Sequence, residues 1–428
     1  MSRALVDRNV PSPEASFASW WARRVLAALS CLEHGALRIR QHGQEAVLGQ
    51  GAPVVTVTVH RDRFYRRLAL GGTVGAGEAY MDGDWDCDDL VALVQLLAAN
   101  RAAQGALDGA ATASVQAWNW LQHLARGNSR RGSRRNVSAH YDLSNTFFET
   151  FLDRHMMYSS AVYDRADMTL EEASGAKLER LCRKLALTPD DHLLEVGSGW
   201  GGLAVYAAGR FGCRVTTVTI SAAQFDAARA RVQAAGLDDR VEVLLRDYRD
   251  LDGRYDKIVS VEMVEAVGDN YLDGYFATLG RLLAPHGLLA LQAITIEDQR
   301  YAQALRSVDF IKKHIFPGSF IPCASRLVSS AAAHSGTVLV SLEDIGLDYA
   351  ATLAEWRRRF EAARPRILEL GFDERFLRMW RFYLAYCEGG FRERAISDVQ
   401  MLFAGPAYRG RPWRATDSGA AGAREVGS

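Results

Sequence analysis

The chain has 428 residues, too many for one ordinary domain and suited to two. Apolar residues make up 48% and charged residues 24%, a globular composition that excludes general disorder. Lys+Arg and Asp+Glu both number 51, so no global field draws nucleic acid to the chain, and none is expected as a partner.

In chain order, residues 14–32 come first, with Phe17, Trp20, Trp21, Val25, Ala28, Leu29 and Leu32 at helical spacing. Trp20 and Trp21 stand beside Arg23 and Arg24, which suits either a lipid headgroup boundary or packing within the helix's own domain. Val25–Leu32 is too short for a signal sequence and is interrupted by Ser30. Ala36–Arg40 and Val54–His60 alternate as strands do. Gly77–Trp85 and a helix near Asp89–Asn100 complete an N-terminal α+β domain, residues 1–125, expected to associate with lipid or membrane. Residues 126–136 then carry five arginines and no acid, which reads as a solvated linker. Such a segment is also drawn to anionic phospholipid, by roughly 1 kcal/mol per basic residue.

From 137 to 412 helix and strand alternate. Apolar runs at Leu193–Val196, Val215–Ile220, Val241–Leu245, Ile258–Val261 and Leu288–Ile294 read as buried strands of a mostly parallel sheet, with helices such as Ala222–Ala235 and Asn270–Leu283 between them. This predicts an α/β fold, with residues 413–428 as a tail. No apolar run reaches the ~18–20 residues of a membrane-spanning helix. The six cysteines show no metal-ligand spacing, so no metal is expected and a cytoplasmic location is.

The stretch His192–Gly202 runs from a strand into Gly197-x-Gly199-x-Gly201 and then a helix. Glycines there let backbone N–H groups approach a nucleotide-like ligand. The spacing is not the G-x-G-x-x-G that seats a pyrophosphate. Glu195 at the strand end opposes a diphosphate and suits a ligand with positive charge, which favours S-adenosylmethionine over NAD. After the second strand, Thr219, Ser221 and Gln224 are placed to hold a ribose by neutral hydrogen bonds. After the third, Asp247 is placed to accept from an adenine amino group and Tyr248 to stack on the ring.

Taken in order, His140–Asn145, Met157–Ala161, Glu195–Gly202, Val218–Ser221, Asp247–Asp250 and Ile315–Gly318 resemble the cyclopropane-fatty-acyl-phospholipid and mycolic acid cyclopropane synthases. The resemblance implies a class I methyltransferase with a seven-stranded sheet. It also implies transfer of a one-carbon unit from S-adenosylmethionine to a cis double bond in an unsaturated acyl chain of membrane phospholipid. Tyr158, Ser159, Gly197, Gly199, Thr219, Gln224, Asp247 and Tyr248 would hold the cofactor, with His140 and Tyr141 near its methionine end. The positive charge left on the acyl chain calls for aromatic faces, Tyr349 and Phe310 foremost, in a pocket that excludes water. The enzyme would work peripherally on the inner face of the cytoplasmic membrane, and the family also implies a homodimer.

Ring-forming members of that family hold a bicarbonate as base. The positions matching its ligands are Ser160, Glu265, Gln292, the Ile294 backbone and Tyr349. Ser160 replaces a cysteine, Gln292 replaces a histidine, and Ala266 stands where ring-formers usually carry histidine. Ser and Gln can still hydrogen-bond an oxyanion, yet the proton-sharing imidazole is gone. Ser160, Glu262–Gly268 and Gln292–Ile294 look more like the branch that makes methyl- or methylene-branched chains. Cys387 matches a cysteine given as an active-site residue in the family, although the chemistry needs no thiolate. Two other readings are an N-methyltransferase of small amines and a lipid-binding relative that has lost turnover.

Overall fold

The computed structural model describes residues 19–101 and 144–411. The arginine-rich segment 126–136, His140, Tyr141 and the tail 413–428 lie outside the described residues. The chain divides into two compact units, and neither is one continuous stretch. The first joins Ser307–Ile315 and Leu368–Glu393 to Met1–Gln122, and the second holds His123–Arg306, Phe316–Ile367 and Arg394–Ser428. The expected uninterrupted domain 137–412 therefore lends two segments to the N-terminal unit. Long-range apolar packing, invisible in local patterning, makes that division.

In the first unit, β1 (Gly35–Gln41), β2 (Gln44–Gln50), β3 (Val54–Val59) and β4 (Trp85–Cys87) form a sheet in the order β2-β1-β3-β4. His42 and Gly43, both at positive φ (46° and 81°), make the tight turn between β1 and β2. Helix Trp20–Leu29 buries Ala22, Val25, Leu26 and Leu29; of the residues read at helical spacing Val25 and Leu29 are in this stripe, whereas Trp20 is exposed. Helix Arg63–Met81 bends at Gly72 (φ 54°, ψ −140°). Gly77 lets the Phe310 ring lie against the helix, where a Cβ would overlap that ring.

In the second unit seven strands follow: β5 (His192–Val196), β6 (Arg214–Thr219), β7 (Val241–Leu245), β8 (Tyr255–Val261), β9 (Leu283–Ile296), β10 (Val338–Asp344) and β11 (Ile396–Ala404). Their order is β10-β11-β9-β8-β5-β6-β7. Only β11 opposes its neighbours; every other pairing among them is parallel. Successive residues enter opposite cores. Leu193, Val215, Val259 and Leu288 join one cluster, whereas Leu194, Val218, Ile258 and Leu289 join the other. That is why these strands read as unbroken apolar runs. Strand order reverses at β5, between β6 and β8, and such a switch point opens a crevice at the strands' carboxyl ends.

Helix Leu272–Leu282 contains two glycines in different surroundings. A Cβ on Gly280 would overlap the Ser335 backbone, while one on Gly274 meets open space. Gly280→Ala is therefore expected to destabilise by about 1–3 kcal/mol despite alanine's better helix propensity. Gly274→Ala is expected to stabilise by about 0.5–1 kcal/mol. Urea midpoints of the two variants, at unchanged slope, check the opposite signs.

Candidate active site

The turn after β5 places Gly197, Gly199 and Gly201 at φ 98°, 48° and 82°, a region that side chains with a Cβ avoid. The Gly197 and Ser198 N–H groups both donate to the Val218 carbonyl, which ties the turn to the end of β6. The cleft above is lined by Tyr158, Ser159, Glu195, Gly197, Gly199, Thr219, Gln224, Asp247 and Tyr248. Glu262 and Met263 line it as well. Gly201 sits behind the turn, where a Cβ would press on Ala228. Ser221 caps helix Ala222–Ala234, its hydroxyl accepting from the Gln224 N–H. These two residues shape the site from outside.

The polar groups of the cleft suit a charged nucleoside. Thr219 donates to Oε1 of Gln224 at 2.9 Å, which turns the Gln224 amide nitrogen into the available donor. Glu195 is buried, accepts from the Thr217 hydroxyl at 2.6 Å, and is pushed up to about 8 by burial. A sulfonium or ammonium group nearby would draw it back to the ionised form. The Ser198 hydroxyl is buried without a partner, as a donor reserved for a ligand would be. Asp247 is the more constrained residue. Arg249 grips both its oxygens, at 2.8 and 2.6 Å, so an adenine amino group would share a carboxylate already paired. The Arg249 guanidinium also lies 5.7 Å from the Tyr248 ring centre, on a face that adenine was expected to use.

Tyr158 stacks on Trp356 at 5.3 Å, with Phe148 and Phe316 against its other sides. Ser159 accepts from Lys177, a wholly buried lysine whose pKa burial lowers. Residues 157–160 thereby join one side of the cleft to an aromatic wall.

The expected bicarbonate ligands come together, but they close on a residue that sequence reasoning passed over. The Ser160 N–H donates to Oε1 of Glu262 at 2.8 Å, Gln292 donates to the same oxygen at 2.8 Å, and Tyr349 donates to Oε2 at 2.8 Å. The Ser160 hydroxyl turns away to the Ala161 carbonyl. The remaining two positions engage each other, the Ile294 N–H donating to Glu265 at 2.6 Å. The donors that a bicarbonate would need are thus already held by protein carboxylates, and the set does not fit that ion.

Glu262 follows the end of β8 at φ 46°, an uncommon conformation for a residue with a side chain. Asp398 of β11 is fully buried beside it and accepts from Gln292 at 2.9 Å. Burial and the neighbouring Glu262 push the Asp398 carboxyl well above its ordinary range. Glu262 is raised by burial too, but with three donors it is the better seat for the pair's negative charge. Glu265 is pushed up to about 8 by burial and by Glu262.

Two other expected residues lie in the first unit. Cys387 belongs to the first unit, on helix Glu374–Arg392, and burial pushes its thiol far above the usual range. Burial thus disfavours a thiolate there. Phe310 is likewise in the first unit, packed on Phe382 at 4.7 Å and against Gly77. Among the residues missed, Asp398 gave no local signal, whereas Glu262 lies three positions before the glutamate that was chosen. Any Cβ at Gly197 would press on Met263 as well as strain the backbone. Gly197→Ala is expected to weaken S-adenosylmethionine binding tenfold or more by calorimetric titration, with the fold intact by circular dichroism.

The family model described as mycolic acid cyclopropane synthetase matches residues 128–401. The tuberculostearic acid methyltransferase of Mycobacterium tuberculosis is 40% identical over 357 residues, covering 80% of this chain and 81% of that protein. The cyclopropane-fatty-acyl-phospholipid synthase of Escherichia coli is 38% identical over 357 residues, covering 82% and 88%. Among solved structures, a mycolic acid cyclopropane synthase complexed with SAH and CTAB is 31% identical at a TM-score of 0.59, covering 63% of this chain and 98% of that one. Glycine turn, switch-point cleft, carboxylate cluster and these likenesses agree: the chain belongs to the mycolic acid cyclopropane synthetase family and is an S-adenosylmethionine-dependent methyltransferase.

Proposed function

We propose that the enzyme adds a one-carbon unit to the cis double bond of an unsaturated phospholipid acyl chain, and that Glu262 is the base that completes the reaction. The product is then a methyl- or methylene-branched chain. The observation that supports this is the convergence of Ser160, Gln292 and Tyr349 on the Glu262 carboxylate beside the cofactor cleft. Gln292, one of the substitutions that set this chain apart from ring-formers, then belongs to this network through its side chain, while position 160 contributes its backbone N–H. That weighs against an inactive relative. The aromatic wall of Tyr158, Trp356 and Phe316 suits an acyl chain better than a small amine.

When bound, S-adenosylmethionine supplies an electrophilic methyl group. Gly197, Gly199, Thr219, Gln224, Asp247 and Tyr248 hold and aim it, which is positioning work worth several kcal/mol. The alkene π pair would form the new C–C bond as the methyl–sulfur bond breaks, that bond's electron pair staying with S-adenosylhomocysteine, and would leave a cation on the acyl chain. Glu262, ionised, opposes that cation, while Tyr158 and Trp356 keep water from it. Glu262 then takes a proton, and the C–H pair closes a new double bond. Burial pushes Glu265 and Asp398 toward their neutral forms, and the three donors concentrate negative charge on Glu262. No bicarbonate enters the scheme.

The lipid must be reached from a bilayer. No described helix is long and apolar enough to cross a membrane. Exposed Trp20, with the Arg24 guanidinium 5.6 Å from its ring centre, supports peripheral attachment at a headgroup boundary on the cytoplasmic face.

CD3-labelled cofactor with oleoyl-phospholipid vesicles tests the product. Released fatty acids are expected to carry three deuteriums, as a methyl-branched olefin, or two, as a methylene that mild hydrogenation reduces. Two deuteriums in a product resistant to hydrogenation would be a ring and would overturn the reading. Glu262→Gln is expected to bind S-adenosylmethionine normally and lose 10²–10⁴-fold in kcat, the usual range for a removed general base.

A further inference from the structure

Behind Glu262 lies a line of side chains that the chemistry above does not use. Gln292 of β9 pairs directly with Gln400 of β11, and Gln400 with Glu343 of β10, so the three lie in one row across the sheet. Asp398, two residues from Gln400, shares its face. Lys184, the last residue of helix Leu170–Lys184, is 1% exposed and reaches into that row. Its ammonium donates to Oε1 of Gln400 at 2.7 Å and to Glu343 at 2.7 Å. Gln400 donates from Nε2 to Oε1 of Gln292 at 3.0 Å. Gln292 donates from Nε2 to Glu262 and Asp398.

The direction of this row follows from chemistry alone. An ammonium only donates, so the Gln400 oxygen must face Lys184. The Gln400 nitrogen then faces Gln292, whose oxygen must receive it. The Gln292 nitrogen is left to face the carboxylates. A reversed Gln292 would set its carbonyl against Glu262, and no contact within the side chain itself forbids that. The row is held from both ends: Glu262, Asp398 and the Ser160 carbonyl accept at the near end, and the buried cation fixes the far end through Gln400.

From this we infer that Lys184 and Gln400 are positioning residues: they lock the Gln292 amide so that its N–H2 group stabilises the ionised, proton-accepting form of Glu262. This rests on Glu262 being the base. Other titratable groups also bear on Glu262, namely Asp398 from β11, Tyr349 from helix Gly346–Ala362, Lys177 from helix Leu170–Lys184 and Glu265 from its own segment. A test must therefore leave their charges alone.

Gln400→Met does so, removing the relay at similar volume without a change of charge. Held from its carboxylate end alone, the Gln292 amide is fixed less firmly and stabilises the Glu262 anion less. The acidic limb of the kcat–pH profile is expected to move up by a pH unit or more. At neutral pH kcat falls about tenfold with KM for S-adenosylmethionine unchanged. Lys184→Met moves the limb the same way, and the double variant is no worse than Gln400→Met alone, because the row acts as one unit. Gln400→Glu, which keeps the Lys184 contact but cannot donate onward, is not expected to restore the limb. Should Gln400→Met show an unmoved limb, or should the two single losses simply add, the inference fails. Should Glu262→Gln keep wild-type turnover, it is the reading of Glu262 as base that fails instead.

Discussion

A carboxylate taken out of water is stable only if its charge is met by donors fixed around it. Glu262 is that group here, and much of the second unit is arranged to meet it. Ser160 reaches it from the segment before helix Leu170–Lys184, Gln292 from β9, and Tyr349 from helix Gly346–Ala362. Each donor comes from a different part of the chain, so the site exists only once the sheet has closed. The left-handed backbone at Glu262 is consistent with a residue held by its surroundings against its own preference.

The sheet order explains how cofactor and base become neighbours. The cofactor turn follows β5, at the point where strand order reverses, and Glu262 follows β8, the next strand. Placing β11 antiparallel between β9 and β10 brings Asp398 and Gln400 alongside Gln292. That reversed strand supplies the polar row behind the base. In the proposed reaction the electrophile and the proton acceptor thus share one end of one sheet.

Much of this was legible in the sequence, for physical reasons that differ by residue. The parallel strands announced themselves as apolar runs because both faces are buried, and the three glycines marked a turn that needs positive φ. Glu262 was not legible. It and Glu265 stand in one short stretch, and nothing local says which carboxylate the donors choose. Asp398 and Gln400 lie 106 and 108 residues from Gln292, and only strand pairing unites them. The place of Cys387 in the first unit could not be read from an apolar helical face. Arg249 was hidden too, since pairing with an acid two residues away looks like ordinary loop polarity.

The most direct measurement is turnover in buffer stripped of carbon dioxide, before and after bicarbonate is returned. If the protein's own carboxylate serves as proton acceptor, the rate and the product are the same in both. A rate that collapses on stripping and recovers with bicarbonate would show that a small anion, not Glu262, does that work.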